Sequence, residues 1–302
     1  MQEILMRAGC FIGIIILGYT LRRIGVFRKE DFRVLSTIVV KITLPAAIVS
    51  SFNGKEIDPA MLSIAVIGFG GGVIYIVLAW LMNKKAGKES QAFAMLNSCG
   101  YNIGNFTLPF VQSFLGPVGV ITTSLFDTGN ACICLGGAYS VASMVKDGER
   151  FSIKKIVNRL IRSVPFLSYV VMITTNLCHI PMPGIVFEFA DIIAGANAFM
   201  AMLMIGVGFN LSGDRSQIGA IVKILLVRYS VAAVIGLSCF FLLPFALEVR
   251  QALLILAFSP IASAAPAFTA EMDGDVGLSS AVNSISIVVS IVIIVGILMV
   301  TV

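Results

Sequence analysis

Apolar segments of about 20 residues recur along the whole chain, separated by short charged or turn-forming stretches. A helix needs roughly 20 apolar residues to cross a bilayer. Ten segments approach or exceed this length, and we number them spans 1 to 10: residues 4–21, 34–52, 60–82, 91–115, 117–145, 164–180, 185–211, 218–243, 250–271 and 277–301. The pattern predicts an all-α polytopic membrane protein with ten transmembrane helices.

Composition excludes the soluble alternatives. The 302 residues are 58% apolar and 12% charged, whereas soluble domains are about 45–50% apolar and about 25% charged. Such a chain would expose large apolar patches in water. We therefore expect a lipid bilayer around the protein, and neither an ordinary cytosolic enzyme nor a nucleic-acid-binding protein. With one histidine, no nucleophile–base set and no phosphate-binding loop, we predict no enzyme activity, no metal site and no cofactor.

The basic residues predict an orientation. Sixteen of the 21 lysines and arginines, Arg215 among them, lie in the loops after spans 1, 3, 5 and 7 or, for Lys223, in the first residues of the next span. Cytoplasmic loops carry an excess of such residues. We therefore expect these loops in the cytoplasm and both termini on the extracytoplasmic side.

A short linker divides the chain near its middle. In residues 146–163, Ile153, Ile156, Val157 and Leu160 follow the spacing of one helix face. This predicts an amphipathic helix on the cytoplasmic leaflet, joining residues 1–145 to residues 164–302. Each half holds five spans, an odd number, so the second half runs in the opposite direction. Inverted repeats of this kind recur in secondary transporters.

Spans 4 and 9, which hold corresponding places in the two halves, are interrupted by helix-breaking residues. Proline removes a backbone donor and clashes with the preceding turn, and glycine weakens a helix. The interrupting residues are Gly100, Gly104, Pro109, Pro260 and Pro266. Broken backbone at membrane depth is tolerated inside protein or along a wet cavity. Paired breaks in corresponding spans therefore predict a substrate site where the two spans cross.

Neutral hydrogen-bond donors lie at these breaks. They are Asn102, Asn105, Ser259 and Ser263. Helix breaks expose backbone N–H groups that favour an anion, and amide and hydroxyl side chains donate without the cost of a buried charge. We predict that these four side chains line a pocket for a carboxylate.

Ionisable residues within spans are functional candidates by default. Lys41 in span 2, Asp127 in span 5 and Asp191 in span 7 are the candidates for charge compensation or for proton or sodium coupling. Asn130 lies three residues after Asp127, on the same helical face. For each, a structural ion pair is the competing interpretation. We assign Arg228 to a span end, where a long side chain reaches the interface.

Three segments resemble the auxin efflux carrier family, within the superfamily of bile-acid and arsenite transporters. Residues 102–116 (NIGNFTLPFVQSFLG) are similar to the fourth helix of that family, and residues 44–52 (LPAAIVSSF) to its second helix. Residues 266–275, with Asn283 and Ser284, resemble its C-terminal part. The resemblance in layout covers nearly the whole chain.

The resemblance implies two inverted five-helix repeats whose broken fourth and ninth helices cross, and an elevator-like motion of a core against a scaffold. It implies transport of organic anions, with Asn102 at the place of a substrate-contacting asparagine, and a homodimer as one arrangement. Tyr101 stands where plant members usually have proline, so a prokaryotic plasma-membrane carboxylate permease is the nearer match. A sodium-coupled bile-acid-type carrier and a ligand-binding sensor or channel remain open.

Overall fold

The computed structural model describes residues 2–210 and 217–302, and every regular element in these two ranges is a helix. Arg215, one of the predicted cytoplasmic cations, lies outside the described residues. An all-helical chain is what lipid requires of these segments, because a helix satisfies its backbone hydrogen bonds internally. The predicted all-α membrane fold is confirmed.

Fifteen α-helices occur in the described residues. In the first half they are α1 (Gln2–Arg23), α2 (Asp31–Ile38), α3 (Leu44–Ser51), α4 (Ser63–Met82), α5 (Lys88–Ser98), α6 (Leu108–Cys132) and α7 (Ala138–Asp147). After these come α8 (Ile153–Leu160), α9 (Val164–Leu177), α10 (Gly184–Ala194), α11 (Asn197–Gly208), α12 (Ile218–Leu242), α13 (Leu247–Ala257), α14 (Ala265–Glu271) and α15 (Val276–Thr301). Short π-helices, Val39–Thr43, Ile103–Thr107 and Ile133–Gly137, lead into α3, α6 and α7.

Each predicted span coincides with one or more of these helices. Within the described residues, seven helical runs are long and apolar enough to cross a membrane, or eight if α8 and α9, bent by 78°, count as one span. The other predicted spans consist of shorter or broken helices, as in α13 and α14. The bend between spans 4 and 5 occurs inside α6 at Gly116, which has φ 59° and ψ −152°. The helices are consistent with the ten-span inverted repeat, which stays a prediction together with its boundaries.

Two groups of helices can be distinguished by their contacts. In the first helix group (α1–α3 and α9–α11), α1 packs on α11, and α3 packs on α9 and α10. In the second helix group (α4–α7 and α12–α15), α4 packs on α6, α5 on α7, α12 on α13, and α14 on α15. Span 1 thus contacts span 7, while span 6 contacts span 2. Such reciprocal pairing is what an inverted repeat leads us to expect.

The linker helix α8 has the predicted amphipathic character. Leu160 is buried, whereas Ile153 and Val157 are exposed on its surface. The Ser152 hydroxyl accepts a hydrogen bond from the Lys155 backbone N–H and so caps the start of the helix. Exposed apolar side chains beside basic ones suit a helix lying on the leaflet surface.

Glycine allows α4 to pack closely against α6. A Cβ atom added at Gly68 would lie 2.1 Å from the Phe126 carbonyl oxygen, and one at Gly129 would lie 1.8 Å from the Ala65 carbonyl oxygen. Helices in membranes associate through small residues of this kind. Gly70, on the same helix as Gly68, has open space where a Cβ would be.

We expect Gly68→Ala to lower the free energy of unfolding by about 2 kcal/mol, because the added methyl group forces two backbones apart. Gly70→Ala is the matched control and should leave stability unchanged or raise it slightly, since alanine is the better helix former. Thermal unfolding of the purified protein in detergent measures both. Equal melting temperatures for the two variants would contradict the close packing.

Candidate functional site

The breaks predicted in spans 4 and 9 are present, and they meet. The helix of span 4 stops after Ser98 and resumes at Ile103, and that of span 9 stops after Ala257 and resumes at Ala265. The Asn102 backbone N–H donates to the Pro260 carbonyl oxygen at 2.9 Å. We call the two non-helical segments, residues 99–102 and 258–264, the crossover.

Local sequence explains why the chain leaves the helix at these points. Gly100 has φ +69°, and a Cβ there would lie 2.6 Å from the Cys134 sulfur, so glycine suits both the conformation and the space. Pro260 lies within the second break, while Pro109 and Pro266 lie in the first turns of α6 and α14, where proline is tolerated. Gly104 packs against Leu44 of α3.

The four predicted pocket residues differ in their hydrogen bonding. Asn105 donates from Nδ2 to the Ser263 hydroxyl at 3.2 Å. Ser259 is fully buried and accepts from the Thr107 hydroxyl at 2.7 Å. The side-chain amide of Asn102 forms no hydrogen bond with a described residue, although only 5% of the residue is exposed.

Two cavities adjoin the crossover. Cavity A has a volume of about 200 Å³ and is lined by residues that include Asp127, Asn130, Tyr169 and Ser163. Cavity B has a volume of about 390 Å³ and is lined by residues that include Arg22, Lys29, Ser280 and Asn283. Three predicted pocket residues, Asn102, Asn105 and Ser263, line both cavities, whereas Ser259 lines neither.

Asp127 and Asn130 lie together in cavity A and are linked to the crossover. Asn130 donates from Nδ2 to the Asp127 carboxylate at 2.7 Å and to the Tyr101 carbonyl at 3.0 Å. Its Oδ1 accepts from the Tyr101 backbone N–H at 3.0 Å. Tyr169 of α9, in the first helix group, donates its hydroxyl to Asp127 at 2.9 Å. Among the described residues, no lysine or arginine forms an ion pair with Asp127.

An asparagine side chain also bonds to the backbone of the second break. Asn283 of α15 donates from Nδ2 to the carbonyls of Ile261 and Ala262 at 3.0 and 3.2 Å. Tyr101 lies ten residues after Gln91, at the start of span 4, and Ile261 lies ten residues after Gln251, at the start of span 9. In each half, an asparagine of the following span therefore bonds to the carbonyl at the equivalent position of the break.

Lys41 and Asp191 lie away from the crossover. Both are exposed, and neither lines cavity A or B. Asp191 accepts a hydrogen bond from the Ser50 hydroxyl, between two helices of the first helix group. The structure therefore provides no contact through which either residue would meet a ligand at the crossover.

The expectation for Arg228 is wrong. Its side chain does not reach an interface but is fully buried in the second helix group. The guanidinium donates to the carbonyls of Ser98 and Ser259, each at 3.0 Å, and stacks on Tyr75 and Tyr101. Arg228 lies ten residues after the first residue of α12, near the middle of the predicted span 8. An ionisable residue so far from both ends of a span is a functional candidate, and this position in the sequence could have identified it.

Sequence reasoning also missed Tyr169 and Thr107. Tyr169 lies in an apolar span without a neighbouring charge, and Thr107 follows the break among other uncharged residues. Nothing in the sequence indicates that the first meets Asp127 or that the second meets Ser259. Their roles depend on helices that are distant along the chain.

Comparison with known proteins gives two matches. Residues 10–157 match the model of a family described as membrane transport protein. The chain is also similar to an uncharacterized transporter of Methanothermobacter thermautotrophicus, with 23% identity over 288 residues that cover 92% of each chain. The family match includes the first break, Asp127 and Asn130.

Proposed function

Because residues 10–157 match the model of a membrane transport protein family, we propose that this chain is a secondary carrier of small organic anions. The substrates are carboxylates such as malate- or malonate-like acids, with auxin-like acids as a further class. The observation that carries this proposal is the Asn102 amide, which forms no hydrogen bond with a described residue, lies at the crossing of two broken helices and lines both cavities.

The donors at the crossover suit a carboxylate. Asn102 offers two amide N–H groups, and the exposed Ser263, which carries a hydroxyl, lines both of the cavities that Asn102 lines. The Ile103 backbone N–H donates to the Tyr101 carbonyl at 3.0 Å. The N–H groups that follow it in the first turn of the resuming helix have no partner within the helix and carry a partial positive charge. Hydrogen bonds from such groups to a charged acceptor are among the strong ones.

The cavities favour a small substrate. Pockets for drug-sized ligands have volumes of about 300–1,000 Å³. Cavity A, at about 200 Å³, lies below that range, and cavity B, at about 390 Å³, lies near its lower end. A mono- or dicarboxylate with a short carbon chain fits cavity A better than a steroid-sized bile acid does. The sodium-coupled bile-acid-type carrier is accordingly the second candidate.

The positions of the cavities support alternating access. Cavity A extends to Ser163 and cavity B to Lys29, both in loops predicted to be cytoplasmic. Phe106, Phe110 and Val111 follow the first break towards the end of span 4 that is predicted to be extracytoplasmic, and all three are fully buried. We therefore assign this structure to an inward-facing state. In an elevator mechanism the second helix group would slide along the first and open the crossover to the outside.

Uptake by proteoliposomes tests the proposal. We expect radiolabelled malonate or malate to enter vesicles that contain the purified protein. Unlabelled substrate inside the vesicles should accelerate this entry, because the binding site of a carrier has to return to the outer face and returns faster with substrate bound. Protein-free vesicles are the control. Entry without acceleration from the opposite side would indicate a channel, and binding without entry would indicate a sensor.

Varying the cation in the same assay separates the coupling alternatives. Uptake that needs a sodium gradient would favour the sodium-coupled carrier, whereas uptake driven by an inward proton gradient would favour proton coupling. The homodimer also stays a prediction, and the molecular mass of the protein in detergent measures it.

A further inference from the structure

Arg228 is a buried cation without a carboxylate partner among the described residues. Its exposed fraction is 0%, and none of the ion pairs in the described residues includes it. Its Nε atom is buried and forms no hydrogen bond. An isolated buried charge is costly, so what stabilises this guanidinium needs an explanation.

Three carbonyls and two aromatic faces surround the Arg228 guanidinium. Ser98 is the last residue of α5, and Ser259 and Pro260 follow the end of α13. The C-termini of both half-helices carry partial negative charge, so one cation stabilises two helix ends from the two halves of the chain. The faces of Tyr75 and Tyr101, 4.2 and 4.5 Å from the guanidinium carbon, add cation–π attraction.

One carbonyl connects the Arg228 guanidinium to the candidate site. The Pro260 oxygen accepts from Arg228 Nη2 at 3.4 Å and from the Asn102 backbone N–H at 2.9 Å. The guanidinium therefore lies one carbonyl group away from the Asn102 backbone, and it lines neither cavity. The carbonyls and rings around the guanidinium carry no net charge, so Arg228 contributes a positive potential at the crossover. Other charges act there too: Asp127 lines cavity A, and Arg22 and Lys29 line cavity B.

We propose that Arg228 favours anions at the crossover: it holds the two half-helix ends together, and the bound substrate is its counter-ion. It acts through the Pro260 carbonyl and the Tyr101 ring without touching the substrate, so it is a positioning residue. The inference rests on the proposed function, because it assumes a carboxylate at Asn102.

The test compares the binding of a dicarboxylate and of a monocarboxylate. Malonate and acetate are titrated into the purified protein by calorimetry at a pH where both are ionised. Arg228→Gln removes the charge but keeps an amide that can donate to the carbonyls, and Arg228→Lys keeps the charge. Arg250→Gln is the matched control, because Arg250 also donates to a carbonyl, that of Phe240, and lies over its ring.

We expect Arg228→Gln to weaken acetate binding roughly tenfold and malonate binding roughly 100-fold. At an effective dielectric constant of about 20, two opposite unit charges about 8–12 Å apart attract each other enough to raise the affinity by about 10- to 30-fold. Loss of the Arg228 charge should therefore cost this factor once for each carboxylate of the substrate. The ratio of the two affinities should thus fall about tenfold. It should stay near the wild-type value in Arg228→Lys and Arg250→Gln.

The affinity ratio does not depend on the fraction of protein that folds, so a poorly folding variant remains informative. An unchanged ratio in Arg228→Gln, with wild-type protein that binds both acids, would overturn the role of Arg228 alone. Wild-type protein that binds neither acid would overturn the proposed function and this inference with it.

Discussion

Replacing Asn102 with alanine is expected to reduce carboxylate uptake roughly 100-fold without unfolding the protein. A hydrogen bond to a charged group contributes about 1.5–3 kcal/mol, and each 1.4 kcal/mol changes an equilibrium tenfold. The Asn102 amide forms no hydrogen bond with a described residue, so its removal leaves no partner unsatisfied in the described part of the chain. Initial rates of uptake by proteoliposomes and thermal unfolding of the same variant measure the two effects.

The backbone bond between Asn102 and Pro260 remains in every variant at this position, which keeps the crossover itself unchanged. Asn102→Asp should also lose uptake, because a carboxylate there repels the substrate. Asn83→Ala is the control: Asn83 lies outside cavities A and B, and its amide caps the end of α4. Uptake by Asn102→Ala at the wild-type rate would remove Asn102 from the site.

The second large effect concerns the dependence of uptake on pH. Ionised Asp127 places a negative charge in cavity A, where it opposes an anionic substrate. As the pH falls, the carboxyl binds a proton and the repulsion disappears. We therefore expect wild-type uptake to rise towards acidic pH, and Asp127→Asn to lose this dependence, because asparagine stays neutral at every pH.

Uptake rates measured from pH 5 to pH 8, corrected at each pH for the ionised fraction of the carboxylate substrate, test the role of Asp127. Asp191→Asn is the matched control, since Asp191 is also a carboxyl within a span but lies outside both cavities, and its pH profile should equal that of the wild type. A pH dependence that persists in Asp127→Asn would contradict proton coupling at this residue. A sodium dependence that disappears in Asp127→Asn would instead support the sodium-coupled carrier.

Hydrogen bonding explains how a proton on Asp127 would affect the substrate site. The Asn130 amide bonds to both the Asp127 carboxylate and the Tyr101 carbonyl, directly before Asn102. The Tyr169 hydroxyl bonds to the same carboxylate from the first helix group. Protonation would thus weaken a contact between the two groups that must slide past each other, which connects coupling to movement.

The sequence by itself determined the helical membrane architecture and the positions of both breaks. Lipid requires every backbone group to be satisfied within the chain, so long apolar segments become helices whatever their neighbours are. Proline and glycine break a helix through their own covalent structure. The short distance along one helix likewise brings Asp127 to Asn130.

Only the tertiary structure decided which polar side chains share the site. Most of these helices are apolar on every side, so the pattern does not reveal which face meets protein and which meets lipid. For this reason Lys41 and Asp191 are predicted for the site but lie away from it, while Arg228 is assigned to an interface but lies behind the crossover. The same holds for Ser259 and Asn102: packing of distant helices gives Ser259 a partner and leaves the Asn102 amide free of the described residues.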